Sequence, residues 1–119
     1  MAVHFVHLVR EHATPSEMAE MMRAFPETRM IKIVADVRRR SLAGGGGMHA
    51  DCEQALLADG SEQDDLWGAN WFPDDESIEF ESLINIRPRL GNRSIVIQSA
   101  DLRAAVEGVA RERLGGVQP

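Results

Sequence analysis

From Ser77 to Arg87 the sequence alternates without a break. Ile78, Phe80, Ser82, Ile84 and Ile86 fall on one side of an extended chain, and Glu79, Glu81, Leu83, Asn85 and Arg87 on the other. A period of two sustained over that length selects a β-strand with one buried face. Other segments repeat the pattern. Met30 to Val37 sets Ile31, Ile33, Ala35 and Val37 against Met30, Lys32, Val34 and Asp36, and Asp65 to Phe72 sets Trp67, Ala69 and Trp71 against Leu66, Gly68, Asn70 and Phe72. Residues 3–10 and Ser94 to Gln98 read as shorter strands. The connections are short and built of turn formers: Asp59-Gly60-Ser61, Pro73-Asp74-Asp75 and Leu90-Gly91-Asn92. Parallel neighbours need crossovers of roughly a dozen residues or more, so the pattern predicts an antiparallel β-meander of about five to six strands.

The run Gly44-Gly45-Gly46-Gly47 is read as the tip of a long hairpin, because glycine loses the most chain entropy when ordered. Arg38 to Leu42 would extend the strand before it. Residues 48–58 are read as the strand after it, with Met48, Ala50, Cys52, Leu56 and Ala58 on one face and His49, Asp51, Glu53, Ala55 and Leu57 on the other. A helix over 51–58 is the competing reading, since Glu, Gln, Ala and Leu favour helix. Two helices are predicted outright. Thr14 is an N-cap, Pro15 suits the first helical position, Glu17 completes a capping box, and Met18, Met21, Met22 and Phe25 form one apolar stripe before Pro26. Ser99 caps the second, Asp101 sits in its first turn, Leu102, Ala105, Val106, Val109 and either Arg113 or Leu114 form its buried stripe, and Gly115 ends it. Two amphipathic helices packed on one face of the sheet make a single α+β domain over residues 1–119. The other face carries mixed residues, two tryptophans among them, and a homodimer burying that face is expected.

The chain's 119 residues suffice for one core and no more. No apolar run reaches the roughly 18–20 residues of a bilayer span, and the N-terminus lacks the basic start of a secretory signal. A single cysteine, Cys52, excludes an internal disulfide and fits a cytoplasmic protein. The net charge of −6 disfavours nucleic acid as a partner. That charge is unevenly spread. Residues 51–82 hold eleven acids and no Lys or Arg, residues 27–50 carry five cations against two acids, and residues 83–103 carry four against one. Acidic and basic segments are therefore expected to pair within the fold. Twelve of the thirteen cations are arginine, whose planar fork suits carboxylate or phosphate.

Two groups of residues could carry chemistry. Asn85 and Arg87 lie two apart on one strand face, and Arg89, Asn92, Arg93 and Ser94 follow in a Pro- and Gly-bounded turn. Guanidinium forks, amides and turn N–H groups are what a small anionic ligand requires. The competing reading ties these arginines to the chain's own acids. On a strand, His49, Asp51 and Glu53 would project together, and a His oriented by a carboxylate is the usual acid–base or metal-ligand arrangement. With a carboxylate from Glu79 or Asp65 this group could hold a divalent metal, but no complete metal motif, nucleotide loop or hydrolase elbow occurs, and the sequence leaves the cofactor unknown. His4, His7 and His12 share no ligand spacing, Cys52 reads as a packed thiol, and Trp67 and Trp71 read as core or interface rather than base-stacking residues.

The segments Gly60-Ser61-x-Gln63-x-Asp65-Leu66-Trp67-Gly68-x-Asn70-x-x-Pro73 and Ile78-Glu79-Phe80-x-Ser82-Leu83-Ile84-Asn85-Ile86-Arg87-Pro88-x-x-Gly91-Asn92-Arg93-Ser94 resemble an uncharacterised family of small prokaryotic proteins, a domain of unknown function. The resemblance takes in His49-Ala50-Asp51, the Met30 to Val37 strand and the closing helix. The family has two glycines before His-Ala-Asp; this chain has four. The resemblance implies a single domain and carries no activity. Three functions are open: a binding or regulatory module gripping an anion; an enzyme on a phosphorylated or nucleotide-like substrate with His49 and Asp51 as acid–base pair; and a toxin-like ribonuclease, which the acidic composition disfavours. Convergence of His49, Asp51, Asn85, Arg87 and Arg93 in one pocket would favour the enzyme.

Overall fold

Asp36 decides where the first hairpin turns. In the computed structural model, which describes residues 6–119, its buried carboxylate accepts the backbone N–H groups of Arg38 at 3.0 Å and Arg39 at 2.8 Å, and the Ser61 hydroxyl at 2.7 Å. The chain therefore leaves strand β2 (Ile31–Asp36) at once, turns through residues 37–40 with Arg40 in the left-handed region, and returns as β3 (Ser41–Gly44). The three arginines form the hairpin tip, and the glycine run does not. Those glycines permit close approach instead. A Cβ on Gly44 would lie 3.0 Å from Met21 Sδ and 3.2 Å from both Ile31 and Ile33, and one on Gly46 would lie 3.0 Å from Asp51 Cβ.

Beyond the glycines the chain is helical. Helix α2 (His49–Ala58) replaces the predicted strand, and the competing helical reading was near its true extent. Its buried residues, His49, Cys52, Glu53 and Leu56, recur at helical spacing, and Asp51 accepts the Met48 N–H at 3.2 Å to cap the first turn. The other two helices follow the sequence closely. Helix α1 (Pro15–Met21) carries the Thr14–Glu17 capping box in both directions, at 2.9 and 3.1 Å. Helix α3 (Ala100–Leu114) is capped by Ser99 and buries Val106, Val109, Ala110 and Leu114.

With β1 (His7–Val9), β4 (Leu66–Phe72) and β5 (Ser77–Glu79) the sheet has the order β1-β3-β2-β4-β5, and every neighbouring pair is antiparallel. The class is α+β with one open antiparallel sheet of five strands. Its connectivity is not a strict meander. Strands β1 and β2 flank β3 and run parallel to each other, so α1 carries a crossover; β3 and β4 flank β2 in the same way, joined by α2. Val3, His4 and Phe5, part of the first predicted strand, lie outside the described residues.

The two helices predicted from the sequence, α1 and α3, share one face of the sheet, and α2 takes the other. Val9, Ile31, Ile33, Ala35, Leu42, Trp67, Ala69 and Trp71 pack with residues of α1 and α3, whereas Val34, Ala43 and Leu66 pack with Cys52 and Leu56 of α2. Both tryptophans belong to the first core, with Trp71 fully buried. The face expected to be open for a second copy is thus covered by α2, with Ile84 packed beside it.

The longest alternating run in the sequence is extended only at its start. After β5, Ser82 Oγ accepts the Ile84 N–H at 3.2 Å and opens a short 3-10 turn over Leu83–Asn85. Ile78 and Phe80 pack on the core of α1 and α3, while Ile84 packs in the cluster of α2. The segment wraps around the sheet edge, so its alternation serves two faces in succession. The predicted strand Ser94 to Gln98 is reduced to a single bridge between Glu81 and Val96.

Candidate functional site

Because β5 ends at Glu79, the outer edge of β4 at Gly68 has no strand beside it. The fully buried Asn85 side chain takes that place. Its Oδ1 accepts the Gly68 N–H at 2.8 Å, and its Nδ2 donates to the Gly68 carbonyl at 2.9 Å and to Ile95 O at 3.1 Å. Glycine is required opposite: a Cβ on residue 68 would lie 2.5 Å from Ser82 Cβ. Asn92 closes the next loop. Its Nδ2 donates to the carbonyls of Asn85, Ser94 and Val96 at 2.8–3.1 Å, and its Oδ1 accepts the Gln98 N–H at 2.9 Å. Ser94 Oγ accepts the Val96 N–H at 3.1 Å. Three of the residues predicted to grip an anion thus hold the loop's own backbone.

The arginines of this loop differ among themselves. Arg87 is drawn inward: its guanidinium donates to Glu53 Oε2 at 2.9 Å, to Gln63 O at 2.9 Å and to Leu66 O, and lies 5.0 Å from the Trp67 ring. Both side chains of the Glu53–Arg87 pair are about nine-tenths buried, at 10% and 11% exposure. Burial pulls the Arg87 pKa below its ordinary value, and Glu53 opposes that shift. Arg89 is exposed and paired with Asp64. The exposed Arg93 is tied in through its backbone N–H, which donates to Gln98 Oε1 at 2.9 Å.

His49 and Asp51 both lie in the first turn of α2, and a helix turns them apart. The buried His49 ring donates from Nε2 to Ala69 O at 2.8 Å, which places a proton on Nε2, and burial holds its pKa below the ordinary value against the opposing pull of that hydrogen bond. Glu53, one turn on, faces Arg87. His7 meets Glu20 and His12 meets Glu112 O. Cys52 is buried, with its pKa pushed up to about 11 by desolvation. Among the described residues no cluster of three His, Cys, Asp or Glu could hold a metal ion.

Two clefts flank the α2 face and share Ile84 as a wall. The first, about 250 Å³, lies over the Glu53–Arg87 pair and is lined further by Asp64 and Arg89. The second, about 420 Å³, lies at the N-terminal end of α2 and is lined by Lys32, Met48, His49, Asn70, Glu81, Ser82, Leu83 and Ile95. His49 lines one and Arg87 the other; Asp51 and Arg93 line neither. The register explains the second cleft's floor. Lys32 of β2 pairs with Asn70 of β4, which pairs in turn with Glu79 of β5, so the three stand in a row. Asn70 is 7% exposed; its Nδ2 donates to Glu79 at 3.4 Å and its Oδ1 has no hydrogen-bond partner. The Lys32 ammonium lies over the Phe25 ring at 5.3 Å. Among the described residues neither Lys32 nor Glu81 enters an ion pair.

Sequence reasoning passed over Lys32, Asn70 and Glu81. One signal was available: Lys32 is the chain's single lysine, and it sits between two isoleucines of a strand whose other charged residue is Asp36.

No helix among the described residues is long and apolar enough to cross a membrane. No curated protein and no solved structure matches the chain. A family model does: residues 7–113 match the family described as a protein of unknown function, DUF5674, and the chain belongs to that family.

Proposed function

We propose that the protein is a small-molecule-binding module and that its ligand is an anion with an apolar body, held in the 420 Å³ cleft at the start of α2. One observation carries this reading. Nine arginines hold carboxylates of the chain itself, whereas the single lysine lines a cleft and enters no ion pair among the described residues. The first turn of α2, whose Met48 and Asp51 N–H groups are held by Asp51 Oδ2 and Met48 O, adds the positive end of its dipole. Met48, Leu83 and Ile95 are large apolar side chains exposed at 61%, 79% and 41%, and all three line the same cleft. Exposed apolar residues scattered singly need no explanation; three around one opening suit an apolar ligand body.

Thermal-shift and calorimetric titration with short-chain and branched-chain carboxylates tests this. A saturating ligand should raise Tm by several degrees, in line with about 2.7 kcal/mol at a hundredfold excess over Kd. Lys32→Gln should abolish the shift and Arg93→Ala should leave it intact. Loss of binding in Arg93→Ala with retention in Lys32→Gln would place the anion in the arginine loop and overturn the cleft reading.

A further inference from the structure

We infer that the ligand is a free α-amino acid with an apolar side chain of about the size of leucine or methionine. This rests on the cleft being the anion site and goes on to specify its occupant. The cleft carries one group of each charge. Lys32 stands on β2, and Glu81 lies two residues past the end of β5. Strand β4 runs between them, with Asn70 at the floor. Two strand spacings separate the outer strands by roughly 10 Å, which keeps the charges from meeting directly. Neither is in an ion pair among the described residues. A ligand lying over Asn70 with a carboxylate toward Lys32 and an ammonium toward Glu81 would neutralise both.

Three further features narrow the class. Glu81 disfavours a doubly charged phosphate, because a like charge in a shared cleft is repelled. It does not disfavour a zwitterion. Asn70 Oδ1 is a buried acceptor with the His49 ring beside it but no donor in hydrogen-bond geometry, and a ligand N–H, met by a small turn of the amide, would supply one. The apolar wall of Met48, Leu83, Ile84 and Ile95 fits a branched or thioether side chain, and about 420 Å³ is small for a nucleotide-sized ligand.

The test is isothermal calorimetry with a parallel thermal shift on the full chain, using L-leucine, glycine, N-acetyl-L-leucine, L-leucinamide and 4-methyl-2-oxopentanoate. L-Leucine should bind best. The acetylated and oxo compounds lack the ammonium, the amide lacks the carboxylate and glycine lacks the side chain; each should bind at least about tenfold more weakly, as expected for one lost charge-assisted hydrogen bond or one apolar side chain. Glu81→Gln should erase the preference for leucine over the oxo acid, and Lys32→Gln should weaken both. Glu81 is exposed and Lys32 only half-buried, so both variants should fold, and circular dichroism checks this. If the oxo acid binds as tightly as leucine and Glu81→Gln changes nothing, the amino-acid assignment falls while the anion cleft stands. If none of the five compounds gives heat or a thermal shift, both fall.

Discussion

Arg87 and Arg89 are two residues apart, and each faces an acid, yet burial sets their worth far apart. Arg89 and Asp64 are exposed at 70% and 49%, where water and salt screen the attraction. Arg87 and Glu53 are nearly enclosed, and Arg87 also satisfies two backbone carbonyls. Removing one partner of an enclosed pair leaves the other charge desolvated and alone. Arg87→Ala or Glu53→Ala should therefore lower the unfolding free energy by about 3–5 kcal/mol, read from urea midpoints, while Arg89→Ala should leave the midpoint within error. The double change of residues 53 and 87 to well-packed apolar side chains should cost less than either single truncation. At this scale the sequence was half legible. It marked Arg87 as a residue with a specific anion to meet, but residue spacing does not say that α2 brings Glu53 there.

At the scale of elements, the decisive contact is Gly68 under Ser82 and Asn85. The chain after β5 can wrap the sheet edge only because β4 offers a bare Cα and Asn85 supplies the hydrogen bonds of a missing strand. A methyl group at residue 68 would meet Ser82 Cβ at 2.5 Å, a contact that real Cβ atoms avoid. Gly68→Ala should cost about 1–3 kcal/mol by overpacking. Ser82→Gly removes the offending atoms, so the double variant should lose less stability than the two single losses added, by roughly 0.5 kcal/mol or more in a double-mutant cycle. Strict additivity would show that the 82–85 turn is not seated on Gly68. This contact explains why the alternation from 77 to 87 predicted more strand than exists. A period of two was real, but successive apolar residues answer to different faces, and nothing local reports that the chain changes face. The error over 48–58 has another cause. Met48, Ala50, Cys52 and Leu56 satisfy a period of two, while His49, Cys52, Glu53 and Leu56 satisfy a helical period, and ten residues cannot separate them. The caps of α1 and α3 were legible because the capping box of α1 and the serine N-cap of α3 are local devices, each complete within four residues.

For the whole molecule, the acidic stretch from 51 to 82 is the chief electrostatic fact. Arg38 and Arg39 of the first hairpin turn, with Arg10, Arg29, Arg87 and Arg89, answer it: Asp59, Asp65, Asp74, Glu53 and Asp64 each hold one or two guanidinium groups. Opposite blocks in the sequence thus became a ring of contacts around α2 and the ends of β2 and β4. Stability should then fall with acid in two separate steps. Burial, with Lys32 nearby, holds the His49 imidazole below its ordinary pKa. In the unfolded chain that ring takes up a proton near pH 6.5 while the folded protein does not, so the unfolded state binds more protons and stability falls as pH drops through that region. The carboxyls of Asp59, Asp64 and Glu112 are also held low, by hydrogen bonds from Arg10, Arg89 and Arg40 respectively. Their contribution is complete above about pH 4–4.5, where the unfolded chain is ionised, and is lost as pH falls through the lower folded values. Urea midpoints taken from pH 8 to pH 3 should show both limbs. His49→Gln should flatten the limb between pH 7 and 5 and leave the lower one, whereas 0.5 M NaCl should weaken the lower limb, which belongs to exposed pairs, and spare the upper, which belongs to a buried ring. A His49→Gln profile parallel to that of the parent through pH 7 to 5 would mean that His49 takes up its proton in the folded state, and burial would then not be enough to hold the ring neutral.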